Sequence, residues 1–451
     1  MRDEKLRTKF VRPSALVSEP SDLQSALDSD LSADVVVIGG GYAGLHTALT
    51  LRQLDYDVVL VEQEFCGFGA SGRNGGNLVG PGGKELRKQM KAPSSEDAVN
   101  YVRYVERNVE RAKQVISEYS IDCDFNETGT LYASPHPEME KETRALVESC
   151  RGAGYDRLEF WDESKAREQG IPAVFRCGAF VRGGGTIHPG KYVLGLRRAV
   201  IDSAIRVFEK SPVNHIEDNR RVVVRTSTGG SVTADKAVIT TGGFTPSTLG
   251  MFGDKLAAFH LGAIETEPLT DEQRASLGWP NREGVGTWHH FLEGYRLSKQ
   301  NTLVCDTKRV MIPYGNRIVS DFAPGLSIPL ARNFRRRFPT LRDVKIAHTW
   351  HGWCGLTPSR LPLVGQTGQY ANIYYCVGFN GHGITPTAGM GYSMGKVVAG
   401  QPDPHYTYIK GKTKSWPSEP LRWLGAKTFI RWLEMKDARW DRDLVTGQIH
   451  S

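Results

Sequence analysis

The stretch 34–62, DVVVIGGGYAGLHTALTLRQLDYDVVLVE, decides the fold. Residues 35–38 form a short apolar run suited to a buried parallel strand. Gly39, Gly41 and Gly44 then fill a G-x-G-x-x-G spacing just where that strand should turn into a helix. The three glycines serve different ends, with a tight turn at Gly39, room for a pyrophosphate at Gly41, and close helix packing on the sheet at Gly44. The helix N-terminus, at Tyr42 and Ala43, faces the phosphates. Ala48, Leu51 and Leu54 lie at helical spacing, and residues 58–61 supply the next strand. It runs into Glu62 and Gln63, with the Glu62 carboxylate placed to accept from the hydroxyls of an adenosine ribose. An acid there favours FAD or NAD over NADP, because a ribose 2'-phosphate would meet like charge.

The chain has 451 residues, enough for two domains or for one large domain with an inserted lobe. A hydrophobic fraction of 39% with 49 glycines fits a soluble α/β protein, and the glycines show no fibrous period. The net charge of +7 comes without a concentrated basic arm, so nucleic acid is not an expected partner. Seven cysteines are scattered without a C-x-x-C pair, which argues against zinc, an iron-sulphur cluster or a disulfide framework; no metal site is expected. With reduced thiols, no signal-peptide pattern and no long apolar run, the expected location is cytoplasmic.

After Glu62 comes a second glycine-rich run, GFGASGRNGG at 67–76, continuing to Gly80. Ordering so many glycines implies close contact of backbone with something flat or bulky, and a flavin is the obvious candidate. Ser21 and Gln24 are read as capping a short helix in an N-terminal segment lying over another part of the protein. Helices are expected over 85–120, 138–150 and 189–208, with strands near 129–134, 222–225, 236–241, 259–267, 286–291 and 301–304. The strand 236–241 ends in Thr241 and stops at Gly242 and Gly243, beside the nucleotide site, with Thr241 and Gly242 the cofactor-side candidates. Trp288, His289, His290, Tyr295 and Arg296 suit a substrate lobe or equally a face toward solvent or another subunit, whereas 335–337 reads as a solvated basic helix face. Near the end, GFNGHGITPTAGMG opens a helix whose N–H groups are available to a ring carbonyl, with Trp350, Trp353 and His382 nearest it. The tail, 401–451, holds four of the nine tryptophans in a basic amphipathic pattern, suited to packing on the body, to an oligomer contact or to a membrane surface.

These motifs together resemble the D-amino-acid-oxidase-like flavoprotein superfamily, and within it the branch of gamma-glutamylputrescine oxidoreductases. The segments that carry the resemblance are GGGYAGLHTAL, Glu62, GFGASGRNGG, Trp350-x-Gly352 followed by Thr357, Arg360 and Pro362, and GFNGHG at 378–383. The resemblance implies an α/β architecture: a Rossmann-type FAD-binding domain and a discontinuous α+β substrate domain whose antiparallel sheet roofs the flavin. On this chain the FAD-binding domain would comprise 33–90, 173–250 and 341–400, and the substrate domain 91–172 and 251–340. A 1–32 extension and a 401–451 helical tail complete the chain.

By the same resemblance the ADP half would lie on the first motif and Glu62, and Val213 would meet the adenine through its backbone. Gly69, Ala70, Ser71, Arg73, Asn74, Gly75 and Gly76 would wrap the isoalloxazine edge. Gly352, with Gly381, His382, Gly383 and Ile384, would approach the pyrimidine side or the ribityl chain. The implied reaction is oxidation of the C–N bond of a small amine or amino acid, with imine hydrolysis and reoxidation by molecular oxygen or another electron acceptor; the alternatives are an amine dehydrogenase passing electrons to a quinone or carrier and a non-catalytic flavin-binding scaffold. His382, Trp350, Trp353, His290 and Tyr295 are the candidate catalytic residues. No histidine neighbours the early motif and Cys354 is displaced from the cysteine used by sarcosine oxidases, so the expected FAD is noncovalent.

Overall fold

A computed structural model describes residues 9–78, 83–92 and 94–445. Gly80, counted above with the second glycine run, lies outside them.

The apolar run before Gly39 is the end of a longer strand, Asp30–Ile38, at the centre of a five-strand parallel layer ordered Ile373–Val377, Ser231–Ile239, Asp30–Ile38, Val58–Val61 and Arg206–Phe208. Val35, Val36 and Val37 are all inaccessible to solvent, as a strand covered on both faces requires. Three antiparallel strands extend the layer: Leu363–Thr367 beside Ile373–Val377, and Val213–Glu217 with Val222–Thr226 beside the first half of Ser231–Ile239.

Two helices leave this layer with their N-termini at one place. Tyr42–Gln53 follows the first glycine motif and Ile384–Val398 follows the last. They touch almost backbone to backbone: a Cβ on Gly391 would fall 2.6 Å from His46 Cβ, and one on Gly395 2.6 Å from Thr50 Cβ. The glycines of GMGYSMG therefore fix the second glycine-rich loop against the first, although more than 300 residues separate them.

The second layer is a nine-stranded sheet, ordered Lys9–Phe10, Ile346–Leu356, Ala257–Thr266, Leu303–Thr307, Glu293–Leu297, Gly284–Thr287, Thr130–Ala133, Gly178–Val181 and Leu158–Trp161. It is antiparallel except at its first pair and between Gly284–Thr287 and Thr130–Ala133. Helix Pro324–Arg337 covers one face. The architecture is the expected α/β one, with a Rossmann-type layer and an antiparallel sheet over it.

Several local expectations change. Ile346–Leu356 and Gly178–Val181, assigned above to the nucleotide domain, are strands of the large sheet. The expected 85–120 helix is two, Gly83–Gln89 and Glu96–Glu118, the second capped by the Ser95 hydroxyl accepting from Ala98 N. The helix opened by Pro189 ends at Asp202, and Arg206–Phe208 is a strand. No helix forms at Ser21. There the N-terminal segment makes a turn and an irregular stretch tied down by buried Glu209, which accepts from Gln24 N, Cys66 N and both Nε and Nη2 of Arg197. Burial alone would raise the pKa of Glu209, but these donors bring it below its ordinary value.

The basic run at 335–337 is not uniformly solvated either. Arg337 is buried and pairs with Glu293 (2.6 Å) and Asp441 (3.3 Å). Asp441 belongs to the C-terminal helix Leu421–Val445, so the amphipathic tail packs on the body. Its other face leaves Leu421, Leu424 and Met435 exposed. Among the described residues, no helix is long and apolar enough to cross a membrane.

Candidate functional site

An elongated slot runs between the two layers. Glu62, Gln63 and Val213 border it, as do Gly39, Gly41, Tyr42 and Ala43 at the start of the first helix. Gly69, Ala70, Ser71, Arg73, Asn74 and Gly75 line it next, and Thr241 and Gly242 approach from the end of Ser231–Ile239. Trp350, Gly352 and Trp353 of the large sheet, with Gly381, Gly383 and Ile384, complete it.

The three glycines of the first motif differ in what surrounds them. Gly39 has φ +109°, a backbone conformation that favours glycine. A Cβ on Gly44 would lie 1.9 Å from the Gly39 carbonyl oxygen, so Gly44 serves packing and does not line the slot. A Cβ on Gly41 would meet only Ser71 Oγ, at 3.2 Å, and otherwise project into open slot. Neither Gly41 nor Gly383, the N-caps of the two helices, offers a side chain to the first-turn N–H groups. Two positive helix ends thus open onto one slot. Buried Arg73 donates to the carbonyls of Phe68 and His351 (both 2.8 Å) and pairs with Asp321, leaving Nη2 without a partner among the described residues. Trp350 Nε1 donates to the Arg73 carbonyl (3.0 Å).

At its far end the slot meets a chamber of about 420 Å³. The two share Asn74, Gly75, Leu261, Asp306 and Thr307 and, from the loop Phe379 to Ile384, every residue but His382. Gly76, His290 and His382 line the chamber and not the slot. Its walls are strongly aromatic, with Tyr132, Trp288, Phe291, Trp416 and Trp440 among them, and its cations are Arg87 and Arg360. The Cζ of Arg87 lies 5.0 Å from the centre of the Trp288 ring. His382 is accessible to the chamber yet deep in the molecule; burial, then Arg360, lowers its pKa.

The C-terminal helix supplies a wall through Ala426, Phe429, Ile430, Leu433 and Trp440. It also fixes the facing loop. Asp437 accepts from the backbone N–H groups of His290 (2.9 Å) and Phe291 (3.0 Å) and bonds His290 Nδ1 (2.7 Å). Glu434 accepts from Arg309 on the adjoining loop.

Two candidate residues sit elsewhere than expected because side chains alternate along a strand. Gly294 and Arg296 face the slot side, so Tyr295 points to the opposite face. It is buried there, donating to Glu293 Oε2 (2.7 Å), and lines neither cavity. Trp353 borders the slot, but its ring stacks on His260 (4.0 Å between centres, 5° between planes) in the row that alternates with Trp350. His289, Glu293 and Asp441 lie close enough to suggest a metal site. Lys308 and Arg337 already pair with both carboxylates, so a metal ion would meet two fixed positive charges.

Sequence reasoning missed Asp306 and the chamber's tail wall. Strand alternation from Val304 would have placed Asp306 on the slot side of the sheet. Nothing local to 421–445 indicates what its apolar face covers.

The donor set fits a dinucleotide with an anionic middle and an acceptor-rich ring: an acid at one end, two helix N-termini between whose own N-caps bring no side chain, the first with Tyr42 N donating to Ser71 Oγ, and a buried Arg73 N–H group without a partner among the described residues. The family described as FAD dependent oxidoreductase (DAO) matches residues 34–396. Gamma-glutamylputrescine oxidoreductase of Escherichia coli (strain K12) is 31% identical over 407 residues, 87% of this chain and 91% of that protein. A D-amino acid dehydrogenase of Methylobacterium nodulans is 26% identical, across 81% of this chain and 95% of that one. Among solved structures, glycine oxidase from Geobacillus kaustophilus superposes with a TM-score of 0.68 at 18% identity, covering 83% of this chain and 96% of its own. L-proline dehydrogenase from P. horikoshii gives 0.69 at 18%, covering 84% and 97%. The fold agrees with these solved structures, and the chain belongs to the DAO family of FAD-dependent oxidoreductases.

Proposed function

We propose that the protein oxidises the C–N bond of a small amine or amino acid, using noncovalently held FAD. The observation that carries this reading is the junction at Asn74–Gly75 and Phe379–Ile384, where a dinucleotide-shaped slot opens into a separate aromatic chamber. Relatives named for a putrescine derivative and a D-amino acid support the substrate class. In this reading the slot residues named above hold FAD, with Glu62 on the adenosine ribose, the two helix N-termini on the pyrophosphate and ring, and Arg73 and Trp350 fixing the loop beside the ring. FAD, when bound, supplies a two-electron acceptor.

The protein's own contribution is position and dryness. The aromatic walls exclude water and align the α-carbon at the junction, while N–H groups of the Gly381–Ile384 loop offset charge entering the ring. His46, two residues after Gly44, corrects the expectation that no histidine neighbours the early motif; it is buried against Tyr192 OH (3.1 Å) and does not line the slot, which supports a noncovalent cofactor. The acceptor is oxygen, or alternatively a quinone or carrier as the relatives named dehydrogenases suggest.

An anaerobic panel of amines, N-methyl amino acids, D-amino acids and polyamine conjugates tests the proposal through bleaching of the flavin band. At least one member should bleach it, and a flavin that none reduces would refute the reading. Hydrogen peroxide yield against dye reduction then separates oxygen from a carrier.

A further inference from the structure

We propose that Asp306 is the group that binds the substrate's ammonium and accepts a proton from it, so that the amine reaches the junction neutral; this rests on the amine-oxidation reading above.

Asp306 lines both cavities and is the one carboxylate lining the chamber among the described residues. A cationic amine would otherwise meet Arg87 and Arg360 there, and like charge would repel it. Strand register places Asp306 in a cross-strand row, Gly294, Asp306, Ala263 and Trp350, on the sheet face over the slot. Space for its carboxylate is built into the neighbours: a Cβ on Gly75 would lie 1.8 Å from Asp306 Oδ2, and one on Gly294 2.4 Å from it. Its Oδ1 accepts from the Thr307 hydroxyl (2.9 Å), and no ion pair within 4.0 Å engages it among the described residues.

The charged groups around Asp306 leave it free for this role. Arg296, on the next strand, donates through Nε to the Gly75 carbonyl (2.9 Å) and is the charged neighbour that favours the ionised acid. Lys308 and Glu293 are committed to each other, and Arg73 to Asp321. Across the junction stands His382, whose depressed basicity keeps it from competing as a cation. Burial outweighs the Thr307 and Arg296 contributions and raises the Asp306 pKa, which suits a proton acceptor. In the step, an ammonium N–H bond breaks and an O–H bond forms on Asp306. A +1/−1 pair becomes two neutral groups, and the nitrogen lone pair is freed to form the C=N bond.

The test compares FAD-loaded wild type with Asp306→Asn, using the panel amine that bleaches the wild type fastest. Reduction is followed anaerobically from about pH 6 to about pH 10, alongside FAD stoichiometry and thermal melting. The variant should keep FAD and its melting temperature. Its reduction at about pH 7 should fall by roughly 100-fold and recover as the amine's own pKa is approached. Should Asp306→Asn fail to hold FAD, Asp306→Ser is judged on the same readouts.

A second measurement needs no variant. Tert-butylamine, which has no α-hydrogen, should perturb the wild-type flavin spectrum more strongly than its anionic isostere pivalate. An unchanged rate and pH profile in the variant, or preference for pivalate, would overturn the proposal. A wild type that no amine reduces would instead sink the amine reading itself.

Discussion

The slot and the chamber share Asn74, Gly75, Leu261, Asp306, Thr307 and a short loop, yet they are made differently. The slot is built mostly of backbone: glycines, helix N-termini and strand ends, drawn from short contiguous motifs. The chamber is built of side chains from segments near residues 87, 132, 288, 306, 360, 416 and 440. A cofactor shared across many reactions needs only N–H groups and room, whereas a substrate needs particular shapes. Glycine can be read where it stands in the sequence, but a wall assembled from seven distant segments exists only after folding.

The sharpest way to break this contrast is within one motif. Gly44→Ala should damage the fold, since its Cβ would lie 1.9 Å from the Gly39 carbonyl oxygen; such overpacking costs about 3 kcal/mol or more. Gly41→Val should instead fold normally and lose FAD, because its side chain enters the slot. Thermal melting of the apoproteins together with FAD stoichiometry separates the two, and equal melting temperatures would erase the distinction between packing and cofactor glycines.

Next in size is a change confined to the chamber. Asp437→Ala strands two backbone N–H groups and His290 Nδ1, loosening the wall that carries His290 and Phe291. Losing charge-assisted hydrogen bonds of about 1.5–3 kcal/mol each should raise KM for the panel amine about 10-fold or more, with FAD content unchanged. Loss of FAD on this substitution would show that slot and chamber are not separable.

The same contrast explains what was legible in the sequence. The strand-turn-helix of 35–53 and Glu62 could be read because strand burial, helix capping and glycine spacing are local. That the second glycine loop abuts the first was implied only by family resemblance, since the contact of Gly391 and Gly395 with His46 and Thr50 is tertiary. Tyr295 was misplaced because an aromatic beside Arg296 gives no parity until the strand Glu293–Leu297 is located. Arg337 looked solvated because its partners Glu293 and Asp441 are about 44 and 104 residues away. Asp306 was passed over because a single acid after an apolar run carries no motif.

The smallest expected effect concerns the acid at the Glu62 end of the slot. Burial pushes the Glu62 pKa up to about 7, even though the N–H groups of Gly40 (2.6 Å) and Glu64 (3.0 Å) favour its ionised form. An unfolded glutamate titrates near pH 4.3, so between there and about 7 the folded apoprotein binds more protons than the unfolded chain. Apoprotein stability from this group is therefore full below the unfolded pKa and declines as pH rises through about 7. FAD reverses the sign. If Glu62 holds the adenosine ribose as proposed, the ribose hydroxyls would donate to the carboxylate, so binding would favour the ionised form and one proton would leave when FAD binds below about pH 7. The Kd for FAD should consequently fall by up to roughly 10-fold between about pH 6 and about pH 8, then level off. Glu62→Gln should bind FAD more weakly with no such slope. A wild-type Kd that stays flat across this window would place the ribose contact elsewhere than on Glu62.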